Sequence, residues 1–298
     1  MIRTRYALPV FLAAAAMTLT GCVNNEASAP QDTGNASAST TKDEAIAKLL
    51  PEKIRSSGKL VVGTDAAYPP NEYKDADGKP IGWDIELADA LGAKLGLTVS
   101  YQVAKFDNII PSITGGKVNI GVSSFTDNAE REKQVDFINY YTAGILWASP
   151  TGKTVDPDNA CGLTIAVQST TVEDTDEVPA KSKACTDAGK APINKLKFDA
   201  QDQATTAVVL GQADAMSADS PVTAYAIKKA DGKLQAAGES FDNTPYGMPV
   251  AKDSKLQKPI QKAMQALIDD GTYGKILKKW GVEAGAVEKV EINAGSKG

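Results

Sequence analysis

The sequence contains no histidine and only three cysteines among its 298 residues. Without histidine, Ser-His-Asp and Cys-His catalytic sets, zinc sites that need imidazole and a histidine proton switch are all excluded. Three cysteines are too few for a zinc site made of cysteine alone. We expect no metal site and assign no cofactor.

Positive charge is also in deficit. Lys and Arg number 32 against 37 Asp and Glu, which gives a formal net charge of −5. Nucleic-acid binding requires a basic surface, so we expect no nucleic-acid partner. The length and the 42% hydrophobic content are those of a globular protein with about two domains, each able to bury a core.

The N-terminal apolar stretch is too short to cross a membrane comfortably. It runs from residue 7 to 19 and follows two arginines. Its last residue, Leu19, is also the first residue of the sequence LTGC, which ends at Cys22. A short basic region before such a stretch is typical of a secretory signal peptide. The LTGC residues resemble a bacterial lipobox, in which the cysteine becomes the lipidated first residue after cleavage. We predict a signal peptide at 1–21 and a lipid anchor on Cys22 at the outer face of the cytoplasmic membrane; a plain secretory signal with a chance cysteine is the alternative.

Large apolar residues are nearly absent from the segment that follows. Residues 23–43 read VNNEASAPQDTGNASASTTKD, and such a stretch cannot offset its ordering entropy by burial. We predict that the lipidated cysteine and a flexible tether occupy 22–57, and that 282–298 form a polar C-terminal tail. A tethered, anchored domain outside the membrane serves to reach a partner or a ligand.

The other two cysteines, Cys161 and Cys185, belong to an exported chain, in which a disulfide is permitted. We favour a bridge between them over two free buried thiols. The bridge would close a loop of about 25 residues, worth about 3 kcal/mol in the chain-entropy model.

The periodicity of the folded body alternates between strand and helix. Strands are predicted at 59–64, 97–103 and 118–122, with helices at 84–95 and 108–114 between them. This order favours a mostly parallel α/β sheet.

A second α/β set of similar size begins near residue 153. Two such sets predict two lobes, and a ligand would lie in the crevice between them, at the carboxyl ends of the strands. The second set comprises strands at 163–167, 194–198 and 213–217 and helices at 173–188, 202–210 and 221–229.

Polar side chains follow four of these strands. A guanidinium binds a carboxylate in bidentate fashion, a carboxylate binds an ammonium, and an aromatic face covers an apolar stem. Such groups around one crevice favour a zwitterion as the ligand. The residues are Asp65 with Tyr68, Ser124 and Thr126 with Arg131, Thr171 at a helix N-terminus, and Asp219.

Several stretches resemble the polar amino-acid-binding family of bacterial solute-binding proteins, family 3. They are GKLVVGTDAAYPPNEY, GWDIELADALGAKLG, FDNIIPSITGGKVNIGVSSFTDNAEREKQVDF and GQADAMSADSPVTAY, in that order, within residues 58–281. The resemblance implies a two-lobed fold like that of periplasmic binding proteins, with a mostly parallel sheet flanked by helices in each lobe. It also implies a protein that is not an enzyme, but captures an amino acid and delivers it to the permease of an ABC importer. We expect a monomer.

The resemblance also assigns roles to the ends of the ligand. Arg131 matches the arginine that binds the α-carboxylate, and Ser124 and Thr126 match loop positions that help to hold it. Asp219 matches the acid that takes the α-ammonium. On the residues alone, Arg131 could be a surface ion-pair partner, and Asp219 could cap the helix that begins near Pro221.

Four further positions match by the same resemblance. Tyr68 and Phe106 match aromatic positions that flank the ligand side chain. Asp65 matches a position that often reads that side chain, and Thr171 matches a second-lobe residue that closes over the ligand. A core position for Tyr68 and a turn cap for Asp65 are the alternatives.

The mechanism that the resemblance implies is closure. We place lobe one at 58–147 and 245–281 and lobe two at 148–244, with hinges near Ala148-Ser149 and Asn243-Thr244. The closed form is what a permease would recognise. Because no GxxxxGK[ST] motif occurs, ATP hydrolysis would belong to other subunits.

Two other functions stay open. A ligand sensor for a membrane receptor would use the same closure. A few relatives of this fold are dehydratases, and Glu173 and Glu72 are the candidates for the general acid that catalysis would need. Asn71 and Val172 depart from the family pattern, which leaves the identity of the amino acid unpredicted.

Overall fold

The computed structural model describes residues 40–297. The predicted signal peptide, Cys22 and residues 22–39 of the predicted tether lie outside the described part of the chain. None of the helices between residues 40 and 297 combines the length and the apolar character that a membrane span requires.

The described residues alternate between strands and helices, as the periodicity predicts. The strands are β1 (Lys59–Thr64), β2 (Ala67–Tyr68), β3 (Glu72–Lys74), β4 (Pro80–Ile81), β5 (Thr98–Val103), β6 (Ile120–Gly121), β7 (Val135–Pro150), β8 (Thr164–Gln168), β9 (Asn194–Phe198), β10 (Ala215–Asp219) and β11 (Leu234–Ala251). The helices are α1 (Glu44–Ala47), α2 (Glu52–Ser57), α3 (Trp83–Leu95), α4 (Ile109–Thr114), α5 (Ala129–Glu132), α6 (Val178–Asp187), α7 (Gln201–Val209), α8 (Ser220–Lys229), α9 (Gln257–Asp269) and α10 (Thr272–Trp280). A π-helical turn (Glu173–Glu177) precedes α6, and 3₁₀ turns lie at Phe106–Asn108, Pro157–Asn159 and Glu283–Gly285.

Eight strands form one sheet in the order β5-β1-β6-β11-β7-β10-β8-β9, and β2, β3 and β4 form a small second sheet. At one end of the large sheet β1 pairs in parallel with β5 and β6; at the other end β8 pairs in parallel with β9 and β10. The long strands β7 and β11 are antiparallel partners in the middle. The predicted α/β class is confirmed. We call the β5-β1-β6 end the first lobe and the β10-β8-β9 end the second lobe.

Each lobe has its own apolar core. Trp83, Leu91 and Ile138 lie in the core of the first lobe, whereas Trp147 and Ile165 lie in a core of the second. Along β7 the change occurs between positions 143 and 145, since the first belongs to one core and the second to the other. The sequence predicted this boundary after residue 147, but the Trp147 side chain is fully buried in the second lobe.

The folded body begins earlier than predicted. The Asp43 carboxylate caps α1, because its Oδ1 accepts hydrogen bonds of 2.9 Å from Ala45 N and 3.0 Å from Ile46 N. Ile46 and Leu50 are buried in the first core. Residues 43–57 fall within the predicted tether of 22–57, but they pack onto the first lobe, because burial of these two apolar side chains offsets the entropy lost on ordering.

The C-terminal segment, which is predicted to be a polar tail, also packs onto the first lobe. Val290 is buried, and Ile292 forms a β-bridge with Ile138. Farther on, Gly295 N donates to Asp127 Oδ2 at 3.1 Å, and Ser296 N donates to a Glu132 oxygen. We call residues 290–297 the C-terminal strap; it lies against the segment that carries Arg131.

A disulfide joins Cys161 and Cys185. It links the chain just before β8 to the last turn of α6, and Cys185 is buried in the second core. This is the bridge that the two cysteines predicted.

Candidate functional site

A cavity between the lobes brings together all eight residues predicted to bind ligand. Its walls are formed where β1, β6, β8 and β10 end, which is where parallel strands place binding residues. The predicted residues are Asp65, Tyr68, Phe106, Ser124, Thr126, Arg131, Thr171 and Asp219. Five others complete the lining: Glu72, Ser123, Gln168, Val172 and Glu173.

The Arg131 guanidinium is fixed between the lobes. Its Nη1 donates to the Thr126 carbonyl at 2.7 Å, and its Nη2 donates to the Thr170 carbonyl at 3.0 Å. The guanidinium carbon lies 5.4 Å from the centre of the Phe106 ring, and that ring stacks on Phe125 at 4.3 Å. Burial lowers the pKa of Arg131, but arginine stays charged. The planar cation is thus held ready for an anion in the cavity.

Acidic neighbours do not engage Arg131 on the surface. Glu130 pairs with Lys133, and Asp127 accepts a hydrogen bond of 2.9 Å from Asn139 Nδ2. The geometry therefore disfavours the surface ion pair that the residues alone left open.

Asp219 lies opposite, at the end of β10. Its Oδ2 accepts a hydrogen bond of 2.8 Å from the Tyr68 hydroxyl, and its side chain makes no capping bond to α8. Burial raises the pKa of Asp219 to about 6, although Tyr68 and Arg131 oppose the shift. Tyr68 packs against Ala218 and Val222, so it serves both as a packed side chain and as a polar wall of the cavity.

Asp65 also meets the second lobe. Gln168 Nε2 donates to Asp65 Oδ2 at 2.5 Å, and the Asp65 backbone N–H donates to Ser123 Oγ at 2.9 Å. Burial is the main reason that the pKa of Asp65 rises to about 6. The carboxylate is turned towards the cavity rather than towards a turn of its own chain.

Ser124 lines the cavity, but its polar groups bond inside the first lobe. Its backbone N–H donates to Asp84 Oδ2 at 2.9 Å, and its hydroxyl accepts from Asn71 Nδ2 at 2.8 Å. Ser124 has φ of 49°, a left-handed conformation rare outside glycine. Asn71 also accepts a 2.7 Å bond from Trp83 Nε1. The departure at Asn71 therefore supports the Ser124 loop and does not line the cavity.

Two buried acids stand behind this loop. Glu72 and Asp84 are both nearly inaccessible, and Tyr140 donates to Asp84 Oδ1 at 2.8 Å. Burial and the charge of Asp84 hold the pKa of Glu72 well above its usual range. Asp84 accepts hydrogen bonds from the Ser124 amide and hydroxyl and from the Tyr140 hydroxyl, which favours the negative charge on Asp84 over Glu72.

Thr171 and Glu173 approach from the second lobe. Thr171 Oγ1 donates to the Gln168 carbonyl at 3.0 Å. Glu173 starts the π-helical turn, is 1% exposed, and its Oε1 has no hydrogen-bond partner among the described residues. Burial, then the neighbouring Asp219, raises the pKa of Glu173 to about 8. The sequence alone indicates Glu173 only as a possible general acid.

The cavity carries more acid than base. Four lining residues are carboxylic acids, namely Asp65, Glu72, Glu173 and Asp219, against the single cation of Arg131. Across residues 40–297, no group of three or more acidic or cysteine side chains is arranged to hold a metal ion. Because the pKa of Glu72 is held well above its usual range, Asp65, Glu173 and Asp219 are the acids that a ligand with positive charge would balance.

The chain is similar to known amino-acid-binding proteins in sequence and in structure. The sequence is 39% identical to the arginine-binding protein ArgT of Corynebacterium glutamicum over 289 residues, 96% of this chain and 95% of that protein. The structure matches an ancestral arginine-binding protein bound to arginine with a TM-score of 0.69 and 34% identity, over 75% of this chain and 98% of that one. It also matches an ancestral amino acid-binding protein, a precursor of cyclohexadienyl dehydratase, with a TM-score of 0.67 and 32% identity, over 78% and 99% of the two chains.

The family model for bacterial extracellular solute-binding proteins, family 3, matches residues 60–283. This match spans both lobes and every residue that lines the cavity. The chain belongs to the bacterial extracellular solute-binding proteins, family 3.

Proposed function

We propose that this protein captures arginine outside the cytoplasm and delivers it to the permease of an ABC importer. The observation that carries the proposal is the position of Arg131 and Asp219, which enter one cavity from opposite lobes with opposite charges. A zwitterion placed between them bridges the lobes and stabilises their closure. The membership in family 3 and the similarity to arginine-binding proteins support the same function.

The α-carboxylate of the ligand would bind the Arg131 guanidinium. Two parallel N–H donors of a guanidinium match two carboxylate oxygens, and such charge-assisted bonds are among the strongest in proteins. Thr126 and Thr171 would add polar contacts from each lobe. Ser124 would act through the shape of its loop, since its hydroxyl and amide are bonded to Asn71 and Asp84.

The cationic side chain would extend towards Asp65. That carboxylate lies at the wall shared with Gln168, and its pKa is raised by burial. A guanidinium beside it would favour the ionised form. Phe106 and Tyr68 line the space between the two ends and would cover the apolar stem of arginine.

Closure would turn about the two long strands. On β11 the pairing with β7 shifts register between Ala237 and Phe241 and again between Phe241 and Thr244. On β7 the facing residue is Gly144, where any side chain would collide with Ser240 and Asn243. We place the hinges at Gly144 and at 241–244, which moves the first of them from the predicted Ala148-Ser149 towards the lobe boundary.

The lipid anchor on Cys22, the monomeric state and the absence of catalysis belong to the same proposal. An anchored binding protein stays near its permease after each delivery. A dehydratase would need a general acid aimed at its substrate, and the cavity acids are better used here as partners of a cationic ligand.

Isothermal titration of the exported form with arginine, lysine, glutamine and glutamate tests the proposal. Arginine should bind most tightly, and glutamate most weakly because it adds negative charge. Arg131→Ala should lose roughly 2–5 kcal/mol of arginine binding, the usual effect of removing one partner of a buried charge pair. Arg55→Ala, on the exposed surface of α2, is the matched control. Failure of all four amino acids to bind would refute the proposal.

A further inference from the structure

Glu173 is a buried carboxyl group that the arginine-binding scheme above leaves without a role. It lies at the start of the π-helical turn, lines the cavity and is 1% exposed. Its Oε1 has no hydrogen-bond partner among residues 40–297. An unpartnered carboxylate oxygen in a buried position is costly, so its place in the cavity wall indicates a partner supplied by the ligand.

The charged and titratable groups around Glu173 come from four elements. Asp219 at the end of β10 is its main acidic neighbour, and Arg131 on α5 is its cationic neighbour. Tyr68 on β2 faces it across the cleft, and Glu177 lies one turn along its own helix. Glu177 is occupied in the core, where it accepts bonds from Trp147 Nε1 at 3.2 Å and Ser217 Oγ at 3.1 Å.

We propose that Glu173 is a second ammonium-binding carboxylate beside Asp219, and that an incoming amino acid displaces the proton which the two acids share. The inference rests on the proposed function, because it takes an amino acid as the ligand. Thr171, two residues earlier, lines the same cavity, and Glu173 adds an ionisable group at the same edge of the second lobe.

The proton balance of this step is simple. Two close carboxyl groups cannot both ionise easily, so one proton stays on the pair while no cation is near. The ligand ammonium arrives with its own three protons and forms hydrogen bonds to both carboxylates. The shared proton leaves to solvent. The O–H bond that held this proton is the one covalent bond that breaks.

The sign of the pH effect follows from the release of a proton on binding. Affinity should rise with pH while the pair is protonated and level off once it is ionised. The pKa of Glu173, about 8, places this rise below pH 8. Asp65 and Asp219, each with a pKa of about 6, contribute mainly below pH 6.5.

Titration of L-arginine into the wild-type protein and into Glu173→Gln tests the inference. Repeating each titration at pH 7 in buffers of different ionisation enthalpy counts the protons released. The wild type should release close to one proton, and its affinity should rise on the order of tenfold from pH 6.5 to pH 8. Glu173→Gln should release almost none and change by less than about twofold over that range. Glu173→Asp keeps a carboxyl group and should retain proton release.

Two control variants show whether loss of proton release is specific to Glu173. Glu177→Gln removes an acid of the same helix that faces the core, and Glu130→Gln removes an exposed acid of α5; both should keep the proton release of the wild type. If Glu173→Gln keeps it as well, or if the wild type binds arginine with no proton release, the inference is wrong while arginine capture stands. If the wild type binds none of the four amino acids above, it is the proposed function that fails.

Discussion

The Tyr68 hydroxyl donates a hydrogen bond of 2.8 Å to Asp219 Oδ2, joining the first lobe to the second inside the cavity. The same hydroxyl accepts a bond of 3.2 Å from the Asp219 backbone N–H. Two further bonds cross the cleft, from Gln168 to Asp65 and from Arg131 to the Thr170 carbonyl. Residues that would hold the ligand thus also help to connect the lobes, which couples capture to closure.

Removal of the Tyr68 hydroxyl should weaken closure without changing the shape of the cavity. We expect Tyr68→Phe to lower arginine affinity by about 3- to 10-fold, the equivalent of roughly 0.5–1.5 kcal/mol for one hydrogen bond. Tyr101→Phe is the matched control, because the Tyr101 hydroxyl bonds to Asp89 and the Ile85 carbonyl away from the cavity. Calorimetry measures the arginine affinity of both variants. Equal losses of affinity in the two would contradict a role for the Tyr68–Asp219 bond.

Neutralising Asp65 should change selectivity more than folding. In Asp65→Asn we expect arginine affinity to fall at least about 30-fold, whereas glutamine, with a neutral side chain, should lose less than about threefold. The Gln168 amide can still bond to the new side chain, so the wall should persist. Competition calorimetry measures both ligands on one sample. A uniform loss for both amino acids would show that Asp65 does not read the side chain.

Stability without ligand should fall between pH 5 and pH 8. Unfolded Asp and Glu ionise near pH 4, whereas folded Asp65 and Asp219 have pKa values of about 6 and Glu173 of about 8. A carboxyl whose pKa is raised by folding stabilises the protein at low pH, and that contribution is lost as pH rises through the folded pKa. Urea unfolding at the two pH values should show a loss of at least about 2 kcal/mol, which saturating arginine reduces. A rise in stability over this range would contradict these pKa shifts.

The C-terminal strap should support the site from behind. Asn293 Oδ1 accepts from Phe137 N at 2.7 Å, and Asn293 Nδ2 donates to Asp136 Oδ1 at 3.0 Å. We expect Asn293→Ala to cost about 1–3 kcal/mol of unfolding free energy, since both bonds are lost from partly buried partners. Lys297→Ala, near the end of the strap, should cost less than about 0.5 kcal/mol. Urea unfolding compares them, and equal stability of the two variants would show that the strap is not held through Asn293.

The sequence predicts those parts of the fold that local patterns determine. Strands β1 and β8 fall where the apolar runs predict them, whereas β6 shortens to Ile120–Gly121. The pairing of β7 with β11 was not predicted, because it joins residues about a hundred positions apart and no local pattern encodes it. The packing of residues 43–57 and of the C-terminal strap was not predicted either. It depends on a few apolar side chains within stretches whose overall composition is polar.

The site, too, could be predicted only where local sequence patterns determine it. Asp65, Arg131 and Asp219 could be placed because the sequence puts each at or after the end of a strand, and strand ends of an α/β sheet converge. The roles of Gln168 and Glu173 depend on the contact between the two lobes. Gln168 bonds to Asp65 across that contact, and Glu173 faces Asp219. A lobe-to-lobe contact is tertiary information, and a single sequence read by periodicity does not carry it.

The most direct measurement is a crystal structure of the protein grown with L-arginine. We expect one arginine in the cavity, with its α-carboxylate within about 3 Å of the Arg131 guanidinium nitrogens, its ammonium at Asp219 and its guanidinium directed to Asp65. An arginine bound in the reverse sense, with its side chain at Asp219 and its α-carboxylate away from Arg131, would show that Arg131 and Asp219 do not bind the two ends of the amino acid as proposed.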